Sequence, residues 1–159
     1  MRNEMIIGVL GGAGQQGGGL AFRWARKGHE IIIGSRSAEK AALAAQALNQ
    51  RLDGRGSVRG ASNRDAAQAA SVVVLAVPYA AHLMDISHAI ECDVLVCGDD
   101  AAAREIVIGL ARDAGLNAWH AGALANSAAA EALASVLIAI NKRYKIRGSG
   151  IRITGVPRT

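Results

Sequence analysis

Aromatic residues are scarce in this sequence, and proline and cysteine are scarcer still. Phenylalanine, tryptophan and tyrosine together make up 3% of the 159 residues, whereas hydrophobic residues reach 51%. A core must therefore be built mainly from alanine, valine, isoleucine and leucine, which suits a buried parallel sheet covered by alanine-rich helices. Only 2 prolines occur beside 19 glycines, so the composition does not indicate disorder.

The cysteines and the short apolar runs exclude further classes of protein. Cys92 and Cys97 form a single C-x4-C pair with no second pair elsewhere, so the sequence predicts reduced, buried thiols and no metal site. The apolar run near the N-terminus is too short for a signal peptide, and no segment approaches the roughly 18 apolar residues of a membrane span. We expect a cytoplasmic protein with no membrane partner.

Positive charge exceeds negative charge, with a formal net charge of +5. The basic residues are dispersed apart from Lys142, Arg143, Lys145 and Arg147, which follow a predicted helix and can offset the negative end of its dipole. Aromatic residues do not alternate with them and no nucleic-acid-binding motif is present, so we expect no nucleic-acid partner.

Strand and helix patterns alternate along the chain. Apolar runs predict strands at 4–10, 30–34, 57–61, 72–77, 93–97 and 116–120, with a short last strand at 150–153. Helical spacing predicts helices at 17–27, 37–52, 63–70 (capped by Asn63), 79–90, 99–114 and 126–145. The alternation predicts the α/β class, with a Rossmann-like, doubly wound parallel sheet and a C-terminal helix.

A glycine-rich loop follows the first predicted strand. It reads Gly12-Ala13-Gly14-Gln15-Gln16-Gly17 and opens a helix inside a β-α-β unit. The first glycine permits a tight turn, the second lets backbone approach a pyrophosphate, and the third lets helix and strand pack closely. The helix N-terminus then offers N–H donors to phosphate, so the loop predicts dinucleotide binding.

The end of the second strand predicts which dinucleotide is bound. An NAD site places a carboxylate about 20 residues beyond the loop, where it accepts from the ribose 2′-hydroxyl. Here the sequence reads Gly34-Ser35-Arg36-Ser37, and Lys40 lies one helical turn further. Arg36 can pair with a 2′-phosphate while Ser35 donates a hydrogen bond, which favours NADP; the alternative is a solvated arginine after a strand.

The fourth strand ends at Ala76-Val77-Pro78, beside the glycine loop in a doubly wound sheet. Backbone there either lines the nicotinamide side of the site or is a simple strand end. The histidines at 29, 82, 88 and 120 are scattered, so no catalytic residue and no metal ligand is assigned. Hydride transfer between cofactors needs none, because the rings carry the chemistry.

Several segments together resemble the NADPH-dependent coenzyme F-420 reductases. They are, in chain order, Gly11 to Gly17, Gly28-His29-Glu30, Gly34-Ser35-Arg36, Ala76-Val77-Pro78, Val96 to Asp100, and Ala121 to Ser127. The resemblance implies hydride transfer between NADP(H) and the deazaflavin F-420. It assigns NADP contacts to Ala13, Gly14, Gln15, Gln16, Ser35, Arg36, Lys40 and Val77, and F-420 contacts to Leu124, Asn126 and Ser127.

The resemblance also implies domain organisation and assembly. Residues 1–90 form the NADP-binding portion, and residues 91–159 complete the sheet and carry the deazaflavin-binding turn and a dimer helix. The apolar stripe of that helix suits a homodimer contact or an ordinary core equally well. Its members are Leu133, Val136, Leu137, Ile140 and Tyr144.

One departure from the family is large. Only 18 residues lie between Pro78 and Cys97, where family members carry a longer segment. A strand at 93–97 could pair directly with the fourth strand and give a smaller sheet. Two alternatives to the reductase therefore stay open: a non-catalytic NADP-binding module, and an NADPH-dependent reductase that uses an ordinary flavin, as in some metalloreductases.

Overall fold

A computed structural model describes residues 4–76, 92–146 and 148–156. The chain divides into two compact units, residues 1–88 and residues 89–159. Val77, Pro78, the helix predicted at 79–90, His82 and His88 all lie outside the described residues, as does Arg147.

The described part of the first unit contains a four-stranded parallel sheet with three helices. Its strands are β1 (Ile6–Leu10), β2 (Glu30–Ser35), β3 (Ser57–Ser62) and β4 (Val72–Leu75). Its helices are α1 (Gln15–Arg26), α2 (Ala38–Leu52) and α3 (Asn63–Ala69). The order β3-β2-β1-β4 places β1, and the loop that follows it, at the centre of the sheet.

The core of the first unit is aliphatic, as the composition predicts. Ile7, Val9 and the run Ile31 to Ile33 are fully buried at the centre of the sheet. Successive side chains of a strand point to opposite faces, so a continuous buried run requires cover on both faces. Small helix residues supply that cover, among them Ala21, Ala25, Ala41 and Ala45. The predicted α/β class with a parallel sheet is confirmed.

The second unit carries the remaining elements. These are β5 (Asp93–Val96), α4 (Ala101–Asp113), β6 (Asn117–His120), a 3-10 helix (Leu124–Asn126) and α5 (Ser127–Tyr144). The two strands pair in parallel, with Asp93 opposite Asn117 and Val96 opposite His120. Helix α4 connects β5 to β6, so the three elements form a β-α-β unit. Among the described strands, the partner of β5 is β6 and not β4.

A buried aspartate ties residues 151–153 to the rest of the second unit. Asp93 is 6% exposed, and its Oδ2 accepts from Trp119 Nε1 at 2.9 Å and from the Ile153 N–H at 2.7 Å. The Asp93 N–H donates to the Ile151 carbonyl at 2.9 Å. The strand predicted at 150–153 is wrong, because these residues form no strand in the structure.

Side chains cap three of the helices. Ser37 accepts from the Lys40 N–H at the start of α2, and Asp100 accepts from the Ala103 N–H at the start of α4. Ser62 accepts from the Asp65 N–H and caps α3, so the prediction that Asn63 is the cap is wrong by one residue. Asn63 is instead the first helical residue, and no described donor reaches its buried Oδ1.

Helix α5 has no buried residue. Within its apolar stripe, Val136 and Tyr144 are 53% and 70% exposed and the other three residues are partly exposed, so the stripe is not fully buried among the described residues. The helical segment Leu124–Tyr144 has 21 residues and a mean hydropathy of 1.4, and by length and composition it is apolar enough to cross a membrane. No segment was expected to meet that criterion. One such helix is weak evidence for a membrane span, since a protein partner covers an apolar stripe equally well.

Candidate functional site

The glycine loop lies at the carboxyl edge of the first sheet, between β1 and α1. Its main chain is held on both sides: the Gly11 N–H donates to the Gly34 carbonyl at 3.0 Å, and the Gly12 N–H donates to the Val9 carbonyl at 3.1 Å. The Gly14 N–H closes the turn onto the Gly11 carbonyl at 3.0 Å. The loop is therefore a preformed turn attached to the central strands.

Steric contacts explain two of the three motif glycines. A Cβ on Gly12 would lie 2.8 Å from the Val9 carbonyl oxygen, and a Cβ on Gly17 would lie 2.5 Å from the Gly12 Cα. Both distances are too short for any side chain, so the turn and the approach of α1 to β1 depend on glycine. A Cβ on Gly14 would meet only the Gly11 oxygen at 3.4 Å, an ordinary contact.

A fourth glycine in the loop is also required, which the motif alone does not reveal. Gly11 has φ +80°, and a Cβ there would lie 2.5 Å from the Ala76 carbonyl oxygen. The Ala76 N–H donates to the Leu10 carbonyl at 2.8 Å, so the end of β4 lies beside the loop as predicted for Ala76. In the sequence, Gly11 stands directly before the motif and within the segment Gly11 to Gly17 that carries the family resemblance.

Helix α1 begins at this loop without a side-chain cap. Gly14 is the N-cap residue and has no side chain that could accept from the first turn, and that turn contains no acidic residue. The first N–H groups of a helix lack partners within the helix and carry the positive end of its dipole. They are available here to an anion, and a phosphate group suits such a helix end.

The end of β2 presents two cations near this edge. Arg36 and Lys40 are exposed, and no carboxylate among the described residues pairs with either side chain. The backbone between them is ordered by two hydroxyls: the Ser37 N–H donates to Ser35 Oγ, and the Lys40 N–H donates to Ser37 Oγ, both at 3.3 Å. The structure thus brings Ser35, Arg36 and Lys40 together at one turn.

Carboxylates lie elsewhere on these elements. Glu30 is at the opposite end of β2, where its Oε1 pairs with Arg59 Nε at 3.2 Å. Glu39 is exposed in the first turn of α2. Neither occupies the end of β2, which is the position from which a carboxylate accepts the ribose 2′-hydroxyl.

In the second unit, the turn after β6 is tied to the loop after β5. The Gly98 N–H donates to the Gly122 carbonyl at 3.1 Å, and the Leu124 N–H donates to Asp99 Oδ1 at 3.0 Å. Asn126 Nδ2 closes the turn onto the Ala121 carbonyl at 2.8 Å. The Leu124 side chain is 56% exposed. Ser127 begins α5, so Leu124, Asn126 and Ser127 lie together at one turn.

His120 ends β6 within a chain of polar contacts. Arg104 Nε donates to His120 Nδ1 at 3.3 Å, and His120 Nε2 lies 2.8 Å from Glu105 Oε1. A second Arg104 nitrogen donates to the Gly98 carbonyl. Because Nδ1 accepts a hydrogen bond in this geometry, Nε2 is left to face the Glu105 carboxylate. His29, in contrast, is buried in the first unit, where its Nδ1 accepts from the Met5 N–H.

The cysteines form neither a disulfide nor a metal site in the described part of the chain. Both thiols are half-buried, whereas the sequence predicts that they are buried. Burial raises the pKa of the Cys92 thiol; a backbone hydrogen bond opposes this, and the neighbouring Asp93 charge adds to it. The thiolate of Cys92 is therefore disfavoured, which makes this side chain a poor nucleophile.

The parallel sheet with a glycine loop opening an uncapped helix defines an α/β protein of the Rossmann-like class. Residues 6–108 match the family model described as NADP oxidoreductase coenzyme F420-dependent, and the chain belongs to that family. The F420-dependent NADP reductase of Methanocaldococcus jannaschii is 32% identical, over 96% of this chain and 99% of the relative. The one from Methanothermobacter thermautotrophicus is also 32% identical, over 96% of both chains.

A solved structure from Arthrobacter sp. FB24 shares the fold. It is provisionally assigned as an F420-dependent NADP-reductase and superposes with a TM-score of 0.73 at 22% identity, over 94% of this chain and 99% of that chain. The alignments with the two methanogen reductases run over 222 and 224 positions, whereas this chain has 159 residues. These relatives therefore contain positions with no counterpart here.

The close contacts of the glycine loop predict opposite effects on stability for alanine substitutions at two adjacent residues of α1. Gly17→Ala is expected to lower the free energy of unfolding by roughly 1–3 kcal/mol, because its Cβ overlaps Gly12. Gly18→Ala is the matched control: its Cβ would come no closer than 3.6 Å to Gly12, and alanine favours helix by up to about 1 kcal/mol. Urea unfolding, monitored by circular dichroism, measures the free energy of unfolding of both variants. Equal changes in the two variants would contradict the steric account.

Proposed function

We propose that this chain is an oxidoreductase that transfers a hydride between NADP(H) and coenzyme F-420. The observation that carries the proposal is the uncapped N-terminus of α1 behind a loop where Gly12 and Gly17 exclude any side chain. Such a loop fits a pyrophosphate, because backbone N–H groups can approach it closely. Membership of a family described as F420-dependent NADP oxidoreductases supports the pairing of cofactors.

Residues of the first unit are proposed to hold NADP in three groups. The pyrophosphate binds the loop and the start of α1, through Gly12, Ala13, Gly14, Gln15, Gln16 and Gly17. The 2′-phosphate binds Ser35, Arg36 and Lys40. Neither the Arg36 nor the Lys40 cation has a described carboxylate partner. The nicotinamide side binds backbone of Ala76, Val77 and Pro78, since Ala76 lies beside Gly11.

The turn of the second unit is proposed to hold F-420, through Leu124, Asn126 and Ser127. Together the two cofactors supply the redox chemistry: NADPH and one proton reduce F-420 to F-420H2 and leave NADP⁺. The protein's own task is to bind and orient, so no side chain is assigned as general acid or base. The exposed Leu124 side chain offers an apolar surface. In the Asn126 side chain, Nδ2 donates to the turn, and Oδ1 can still accept a hydrogen bond.

Turnover is tested by mixing the protein, NADPH and oxidised F-420 and following the deazaflavin absorbance. The expected result is loss of that absorbance at a rate proportional to protein. Parallel reactions with FMN and FAD should show no reduction. Reduction of a flavin alone would identify an ordinary flavin reductase. NADPH binding without any turnover would identify a non-catalytic module and would overturn the proposal.

Cofactor preference is tested at Arg36. Arg36→Ala is expected to weaken NADPH binding by roughly 1.5–3 kcal/mol, tenfold or more, and to leave NADH binding nearly unchanged, because only NADPH carries the 2′-phosphate. Arg55→Ala is the matched control, since Arg55 is an exposed arginine of the same unit in the loop between α2 and β3. Isothermal titration measures all the affinities. Equal losses for the two nucleotides would refute the 2′-phosphate contact.

We further propose that the protein is a cytoplasmic homodimer that meets only small-molecule partners in its reaction. Helix α5 supports the dimer, because none of its residues is buried among the described residues and Val136 of its apolar stripe is exposed. Val136→Asp is expected to shift sedimentation from dimer to monomer. Ile106→Asp, at an apolar residue 44% exposed on α4, should leave the dimer intact. A wild-type monomer, or co-flotation of the wild type with lipid vesicles, would contradict the proposal.

A further inference from the structure

Two loops of the second unit come together where β5 and β6 end, and one aspartate joins them through its side chain. We propose that Asp99 is a positioning residue, which holds the Leu124–Ser127 turn in the conformation that binds F-420. The inference rests on the proposed function, because it concerns the same turn. It adds a residue that touches the turn and not the cofactor.

The contact is specific in its atoms. Asp99 Oδ1 accepts the Leu124 N–H at 3.0 Å, across 25 residues of sequence. Leu124 is the first residue of the 3-10 helix, where an N–H lacks a partner within the helix. The carboxylate therefore satisfies the donor that begins the turn, with a charge-assisted bond.

Main-chain bonds bring the two loops together but leave the start of the turn to Asp99. The Gly98 N–H reaches the Gly122 carbonyl, and Gly122 itself has φ +89°. A Cβ on Gly122 would lie 2.6 Å from Asn126 Nδ2, so the turn closes tightly around that amide. These contacts set the path of the chain, whereas the orientation of Leu124 depends on what its own N–H bonds to.

The neighbouring aspartate has a different task, which makes the pair a natural comparison. Asp100 Oδ1 accepts the Ala103 N–H at 2.7 Å and caps α4. Both carboxylates are exposed and carry the same charge. Asp99 therefore differs from Asp100 in the segment that it holds, and a general effect of removing an acid would appear at both positions.

Three variants test the role: Asp99→Ala, Asp99→Asn and Asp100→Ala. Asp99→Ala is expected to raise the Kd and KM for F-420 about tenfold, with kcat and the Kd for NADPH little changed. Asp99→Asn retains an acceptor oxygen and should recover most of that loss. Asp100→Ala should lower the melting temperature and leave the KM for F-420 unchanged. Quenching of F-420 fluorescence gives the Kd, and steady-state rates give the KM.

Hydrogen exchange at the Leu124 amide supplies a readout on the wild-type chain, independent of whether any variant folds. The proposal predicts slow exchange of this amide without F-420. Rapid exchange there, or an unchanged F-420 affinity in a folded Asp99→Ala variant, would overturn the role of Asp99 alone. A wild-type chain that binds no F-420 would overturn the proposed function as well. Equal losses of F-420 affinity in Asp99→Ala and Asp100→Ala would also refute the positioning role of Asp99.

Discussion

The close approach of α1 to β1 is the contact on which the candidate dinucleotide site depends. It brings Gly17 against Gly12 at a distance that excludes any side chain, and it leaves the first N–H groups of α1 without a cap. A helix that begins at a sheet edge in this way presents its positive end to solvent. The preference for a phosphate and the requirement for glycine therefore have one physical cause. The connections from β2 to α2 and from β3 to α3 instead cap their helices with Ser37 and Ser62.

Charge and turn geometry extend this arrangement in two directions. At the end of β2, exposed Arg36 and Lys40 replace the carboxylate that an NAD site would need, while Glu30 is held by Arg59 at the far end of the strand. In the second unit, backbone bonds and Asp99 form a turn that exposes the apolar side chain of Leu124. The first feature suits a polar, anionic group and the second suits an apolar ring, as expected for two chemically different partners.

Local patterns predicted much of the fold, and contacts between distant residues account for the rest. The run Ile31 to Ile33 and the glycine spacing predicted strand, helix and loop, because burial on two faces and tight turns leave direct sequence signals. Ser62 and Asn63 are both good caps, so only the backbone geometry could choose between them. The bonds from Asp93 to Ile153 and from Asp99 to Leu124 join residues far apart in sequence. No local sequence pattern predicts these bonds, so the contact between Asp99 and Leu124 was not predicted.

Isotope transfer tests the central claim most directly, because it follows the hydride itself. NADPH deuterated at both C4 positions of the nicotinamide ring is mixed with the protein and oxidised F-420, and the reduced F-420 is analysed by mass spectrometry. Direct transfer predicts that each molecule of F-420H2 carries one deuterium that came from NADPH. F-420H2 without deuterium would mean that the hydrogen came from solvent, and such a result, or no F-420H2 at all, would contradict the account.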